Sequence, residues 1–234
     1  MKNLSKTEDQ ALIKEQDLFS SKLERRSFLR YAGAGAAGIA LVAAGCKKDE
    51  KGESGVYLGS GDIGILNFAY ALEQLEAAFY VQVANSFYSG ATQAEKNILI
   101  DIRDHEVIHR EFFKNALGTN AIGGLEVNFS SINFSDRTSV LGTAKAFEDL
   151  GVSAYNGAGF LFRDAGYLTL AGKIVSVEAR HAAIIRELIT PNSFANSEVI
   201  DANALNKSRM PAEVLSIAGA FIKTKINAND LPTS

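Results

Sequence analysis

Apolar residues recur at helical spacing in four stretches of this chain, with turn-forming residues between them. Ile65, Phe68, Ala69, Leu72, Leu75, Phe79 and Val83 keep one face, which predicts a helix from Asp62, its N-cap, to about Phe87. Ser89 and Gly90 make a short turn, and Thr92 caps a second helix running through Ile98, Ile102, Val107, Phe112 and Phe113 to about Leu117. So short a turn forces an antiparallel pair. Residues 118–136 are long for a bundle connection and carry Gly123, Gly124 and the alternating Val127, Phe129, Ile132 and Phe134. A third helix is expected over residues 137–157 and a fourth over 164–189, ended by Pro191. Two antiparallel hairpins joined by one long crossover make an all-α, antiparallel four-helix bundle over residues 62–190. Residues 191–234 follow as an extension in which the amphipathic stretch 211–222 reads as a short docking helix, the remainder as loop and tail.

The hairpins are copies of one another. Ala71-Leu72-Glu73-Gln74-Leu75 aligns with Ala146-Phe147-Glu148-Asp149-Leu150, which also aligns Tyr80 with Tyr155, each seven residues after its Glu. Residues 102–109 align in turn with 174–181, so Glu106/His109 matches Glu178/His181. Random placement of Glu and His at this composition would give about 0.2 E-x-x-H pairs, so two such pairs at equivalent positions call for a cause. In a helix, residues i and i+3 lie on neighbouring faces one turn apart, so each Glu and His can reach one ion or flank two. With Glu73 and Glu148 added, four carboxylates and two neutral imidazoles carry a formal charge of −4, which two divalent cations cancel. The set reads as a dinuclear metal site.

Composition fits this reading without sharpening it: 47% apolar and 22% charged residues supply one ordinary core. The front of the chain stands apart. Residues 24–46 read ERRSFLRYAGAGAAGIALVAAGC, with paired Arg25 and Arg26, then Phe28 and Leu29, an Ala/Gly-rich apolar stretch, and Ala44-Gly45-Cys46. This resembles a twin-arginine export signal ending in a lipoprotein cleavage box, which implies removal of residues 1–45, acylation of Cys46 and a tether over residues 46–61. Glu24 stands where such signals have Ser or Thr, and Ala43 where the box has Leu. An uncleaved membrane anchor is the alternative. Either places the bulk in the cell envelope, on the periplasmic side of the inner membrane. Cys46 is the single cysteine, so a mature domain has no disulfide and no thiolate ligand. Residues 1–45 carry seven Lys/Arg and five Asp/Glu, a net +2 that, removed from the chain's −3, leaves −5. That balance does not suit nucleic acid.

The phrases LNFAYALEQLEAAFY, DHEVIHREFF, AFEDLGVSAYNGAG and VEARHAAIIREL, in this order over residues 62–222, resemble the ferritin-like superfamily, most closely the branch that includes plant desiccation-related proteins. The resemblance implies Glu73 and Glu148 as the lone-helix ligands and Glu106/His109 with Glu178/His181 as the paired ones. Tyr80 and Tyr155 fall where tyrosines of relatives hydrogen-bond ligands. Glu76 aligns with Gly151 and reads as a reserve ligand or an exposed charge, and His105 as a surface residue or the partner of a ligand. Asp101 or Asp104 either orients an imidazole from the opposite hairpin or is helix-surface charge.

Two Fe ions, with Mn as the alternative, and dioxygen or peroxide as oxidant are the cofactors and partners this implies, together with a membrane contact through the N-terminal lipid or anchor and a homodimer as the assembly. Such a site serves iron oxidation, peroxide detoxification or related oxidase chemistry. The reading from another class is a non-enzymatic, stress-associated envelope protein whose bundle is a metal-binding or structural scaffold. Aromatic residues after the second helix either close the site or bind a partner.

Overall fold

The computed structural model describes residues 54–234. The segment read as a twin-arginine signal, Cys46 and the expected tether up to residue 53 lie outside them. Four long helices form the bundle: α1 (Gly61–Asn85), α2 (Gln93–Leu117), α3 (Arg137–Gly159) and α4 (Ala165–Ile189). A short α5 (Pro211–Ala218) packs on α3, and a 3-10 turn (Gly118–Asn120) opens the crossover. Among the described residues no helix is long and apolar enough to cross a membrane.

Local chemistry sets the helix ends. Thr92 and Glu95 form a reciprocal capping box at α2, while Asp136 and Asp164 accept backbone N–H groups at the starts of α3 and α4. Such caps contribute about 1 kcal/mol each. The expectation for Asp62 was wrong. Ser60 is the N-cap of α1 and makes no side-chain cap bond, whereas the Asp62 carboxylate accepts from the N–H groups of Arg163 and Asp164. A tertiary demand at the α3–α4 turn outcompeted the local one.

Helix α1 is buried on nearly every side, because it meets α2, α3 and the crossover together. Its two buried amides fix the crossover. Asn67 donates to the carbonyls of Leu58 and Asn120 and accepts from Ile122 N–H, and Gln74 donates to Gly123 and accepts from Leu125 N–H. Phe129 and Phe134 then pack on Phe79, and Phe129 also on Phe147, so the loop aromatics complete the core beside two site-bearing turns.

The extension is more ordered than its sequence suggested. β1 (Val56–Tyr57) pairs in parallel with β2 (Ile226–Asn227), and buried Leu58 follows β1, so residues expected in the tether belong to the fold. Leu231 packs where a Cβ on Gly64 would stand, at 2.7 Å. Helix α5 ends at Ala218, before the expected Ile222. Arg186, fully buried, fixes residues 193–198 by donating to Ser193 O, Asn196 Oδ1 and Glu198 Oε2, and it pairs with Asp149 at 2.5 Å. The Arg209 N–H donates to Ser153 O, and the Arg209 carbonyl sits 1.8 Å from where a Gly157 Cβ would be. Gly157→Ala is therefore expected to lift this segment off α3 and to destabilise the protein by about 1–3 kcal/mol, the usual cost of overpacking. The shift in urea midpoint measures it, and a midpoint equal to wild type would contradict the close contact.

Candidate metal centre

Each bundle helix brings its charged residues to one level. Glu73 comes from α1, Glu106 and His109 from α2, Glu148 from α3, Glu178 and His181 from α4; the four carboxylates are fully buried. All six residues read from the repeat meet there. Their ligand atoms fall into two groups, Glu73, Glu106, His109, Glu178 and Glu106, Glu148, Glu178, His181, the atoms of each lying within 4.8 Å of one another.

The halves are arranged crosswise. His109 Nδ1 lies 2.8 Å from Glu178 Oε1, 3.4 Å from Glu73 Oε2 and 4.0 Å from Glu106 Oε2. His181 Nδ1 lies 2.9 Å from Glu106 Oε1, 3.5 Å from Glu148 Oε2 and 3.7 Å from Glu178 Oε2. Glu106 and Glu178 thus give one oxygen to each group. Tyr80 donates to Glu148 Oε1 at 2.6 Å, and Tyr155 donates to Glu73 Oε1, so each tyrosine holds the lone carboxylate of the opposite hairpin by one oxygen. The other oxygen of each faces a histidine.

The donor set fits metal ions. Glu73 Oε2, Glu148 Oε2, both oxygens of Glu106 and of Glu178, and the Nδ1 atoms of His109 and His181 are buried and make no hydrogen bond of normal geometry. Buried polar atoms ordinarily find partners. Here eight converge without them, as two sets of three carboxylate oxygens and one imidazole nitrogen, a mixture that suits first-row divalent ions.

The electrostatics of the metal-free cluster show what an ion would relieve. Burial raises Glu73, as does the charge of Glu178, and the same two causes lift Glu106 well above the usual range. Burial brings Glu148 up to about 7. Burial opposes ionisation of Glu178 too, but His109 and His181 hold it down to about 2. Burial likewise disfavours charged imidazole, yet Glu178 and Glu73 bring His109 up to about 10, and Glu106, Glu148 and Glu178 bring His181 up to about 12. Protons stand in for cations.

Glu76 departs from the sequence reading, whereas Asp101, Asp104 and His105 each take one of the alternatives it left open. Glu76 is neither an exposed charge nor a member of either group. It is buried against Gly151, its counterpart in the repeat, where an added Cβ would meet Glu76 Oε1 at 3.0 Å. Burial and the charges of Glu106 and Glu178 lift its carboxyl well above the usual carboxylate range. Asp104 accepts from Arg103 Nε on the helix surface and Asp101 is exposed, so both are surface charge. The ring that meets a ligand is His105, whose Nδ1 lies 2.8 Å from His181 Nε2.

A four-helix bundle with a duplicated, buried carboxylate–histidine cluster defines a class of helical protein whose core could hold metal ions. The sequence model of the ferritin-like domain matches residues 61–191, more than half of the chain, and the chain belongs to that family. No curated protein matches it.

Proposed function

We propose that this is an exported dinuclear metalloprotein, with iron as the resident metal, that reacts with dioxygen or peroxide outside the inner membrane. One observation carries the reading: eight buried ligand atoms that converge on one another with no hydrogen bond of normal geometry, split evenly between two groups that share Glu106 and Glu178. One ion would be held by Glu73 and His109 together with Glu106 and Glu178, the other by Glu148 and His181 together with the same shared pair. Bound there, two ferrous ions would supply two electrons, which with two protons would take hydrogen peroxide to two waters or dioxygen to hydrogen peroxide.

The protein's own residues set the terms of that chemistry. Tyr80 and Tyr155 fix which oxygen of Glu148 and Glu73 faces inward. Full burial of the carboxylates keeps bulk water from competing for the ions. Export rests on Arg25, Arg26 and the box ending at Cys46, whose acylation would hold the domain at the membrane. The similarity to the desiccation-related branch supports a role in stress at the envelope.

Reconstitution with Fe(II) or Mn(II) is expected to load close to two ions per chain, counted by atomic emission after desalting. Fewer than about one ion per chain with both metals would overturn the dinuclear site. The loaded protein is expected to consume peroxide or oxygen, and a His109→Ala/His181→Ala variant to lose that activity. Equal consumption by the two would reject the redox reading and leave the bundle as a stress-associated scaffold.

A further inference from the structure

The two halves of the site match residue for residue in their six ligands and two tyrosines, and then differ at one ring. His105, on α2, directs Nδ1 to Nε2 of His181 on α4 at 2.8 Å, with the ring centroids 5.1 Å apart and the planes within 9° of parallel. Its counterpart in the repeat is Val177, whose side chain has no atom that can accept a hydrogen bond. His105 is exposed, whereas His181 is 4% exposed. The contact therefore lies on the outward edge of a buried ligand.

We infer that His105 is a positioning residue that fixes the tautomer and orientation of His181, and that it makes the two metal positions unequal. The inference rests on the dinuclear reading above. His181 Nδ1 faces Glu106 and Glu148 and needs a free lone pair to bind an ion. The ring's single proton then belongs on Nε2, where His105 Nδ1 accepts it, leaving the His105 proton on its own Nε2. A hydrogen bond to the far nitrogen of a ligating imidazole holds the ring in place and raises its basicity, and loss of such a partner typically weakens metal binding about 10–100-fold. Carboxylates and carbonyls commonly fill this role; here a second imidazole does. The ion on His181 is the tighter-bound of the pair.

The test is a Co(II) titration of the full chain, followed by the visible absorption of the bound ion. Wild type is expected to fill in two steps. His105→Ala and His105→Val, the latter reproducing the other half of the repeat, are expected to weaken the tighter step about 10–100-fold, to leave the weaker step in place and to shift the spectrum of the first ion bound. His105→Asn, whose Oδ1 occupies the place of Nδ1 as an acceptor, is expected to restore both affinity and spectrum. Titration of the Ala and Val variants as wild type, equal weakening of both steps, or no rescue by Asn would each overturn the positioning role. The failure of the underlying reading looks different: wild type would not bind Co(II), or the His109→Ala/His181→Ala variant would bind it unchanged.

Discussion

Glu178→Gln is expected to empty both metal positions at once, while Glu73→Gln or Glu148→Gln empties one. Glu178 belongs to both ligand groups, its Oε1 beside His109 and its Oε2 beside His181. Gln keeps the shape but replaces one oxygen by an NH2 group with no lone pair to give, and it removes the negative charge that both positions share. Glu73 and Glu148 each offer a single inward oxygen, the other being held by Tyr155 or Tyr80. Loss of an outer partner alone weakens metal binding up to about 100-fold, so loss of a shared ligand should exceed that at both positions. Bound metal per chain after desalting separates the cases: near zero for Glu178→Gln and near one for either lone-helix variant. One tightly held ion in Glu178→Gln would mean that Glu178 does not bridge. Unchanged far-ultraviolet circular dichroism would show that the bundle still folds, as expected where the substituted side chain keeps its volume.

What could be read in the sequence was what repeats or has a local period. The four helices carry continuous apolar faces, and Thr92 announces α2 by its own side chain, so their limits fall within a few residues of those observed. The six residues of the cluster were legible because the duplication set Glu73 beside Glu148 and one E-x-x-H beside the other. Features that depend on a single distant partner were not. Two-residue strands have no period, so the pairing of Val56–Tyr57 with Ile226–Asn227 had no sequence signature. Glu76 is buried because Gly151, on another helix, leaves it room, and His105 meets His181 because the halves differ where the repeat argument assumes that they agree. Arg186 likewise owes its partners to residues 193–198, which carry no period that would place them over it.

Metal uptake is expected to release at least two protons per chain and to strengthen steeply with pH. In the metal-free cluster burial disfavours imidazolium, but the neighbouring carboxylates outweigh it, so that His109 titrates at about 10 and His181 at about 12. Near neutrality both rings are therefore protonated, while each ion requires an unprotonated Nδ1, so both protons must leave. Glu73 and Glu106, raised by burial and by the charge of Glu178, can only add to the count. Release of two protons makes the overall constant for two ions rise about 100-fold per pH unit. The same shifts set the stability of the metal-free protein. A histidine raised in the folded state contributes stability that is fully present below its ordinary value of 6.5 and is lost as pH rises through about 10 for His109 and about 12 for His181. The metal-free melting temperature should then fall from neutral to alkaline pH, whereas the loaded protein, with ions in place of those protons, should hold its value. An indicator dye in weak buffer counts the protons during a Zn(II) titration, and melting curves from pH 6 to 10 follow the stability; release of fewer than one proton per chain, or parallel pH profiles for the two forms, would mean that the cluster is not proton-loaded when empty.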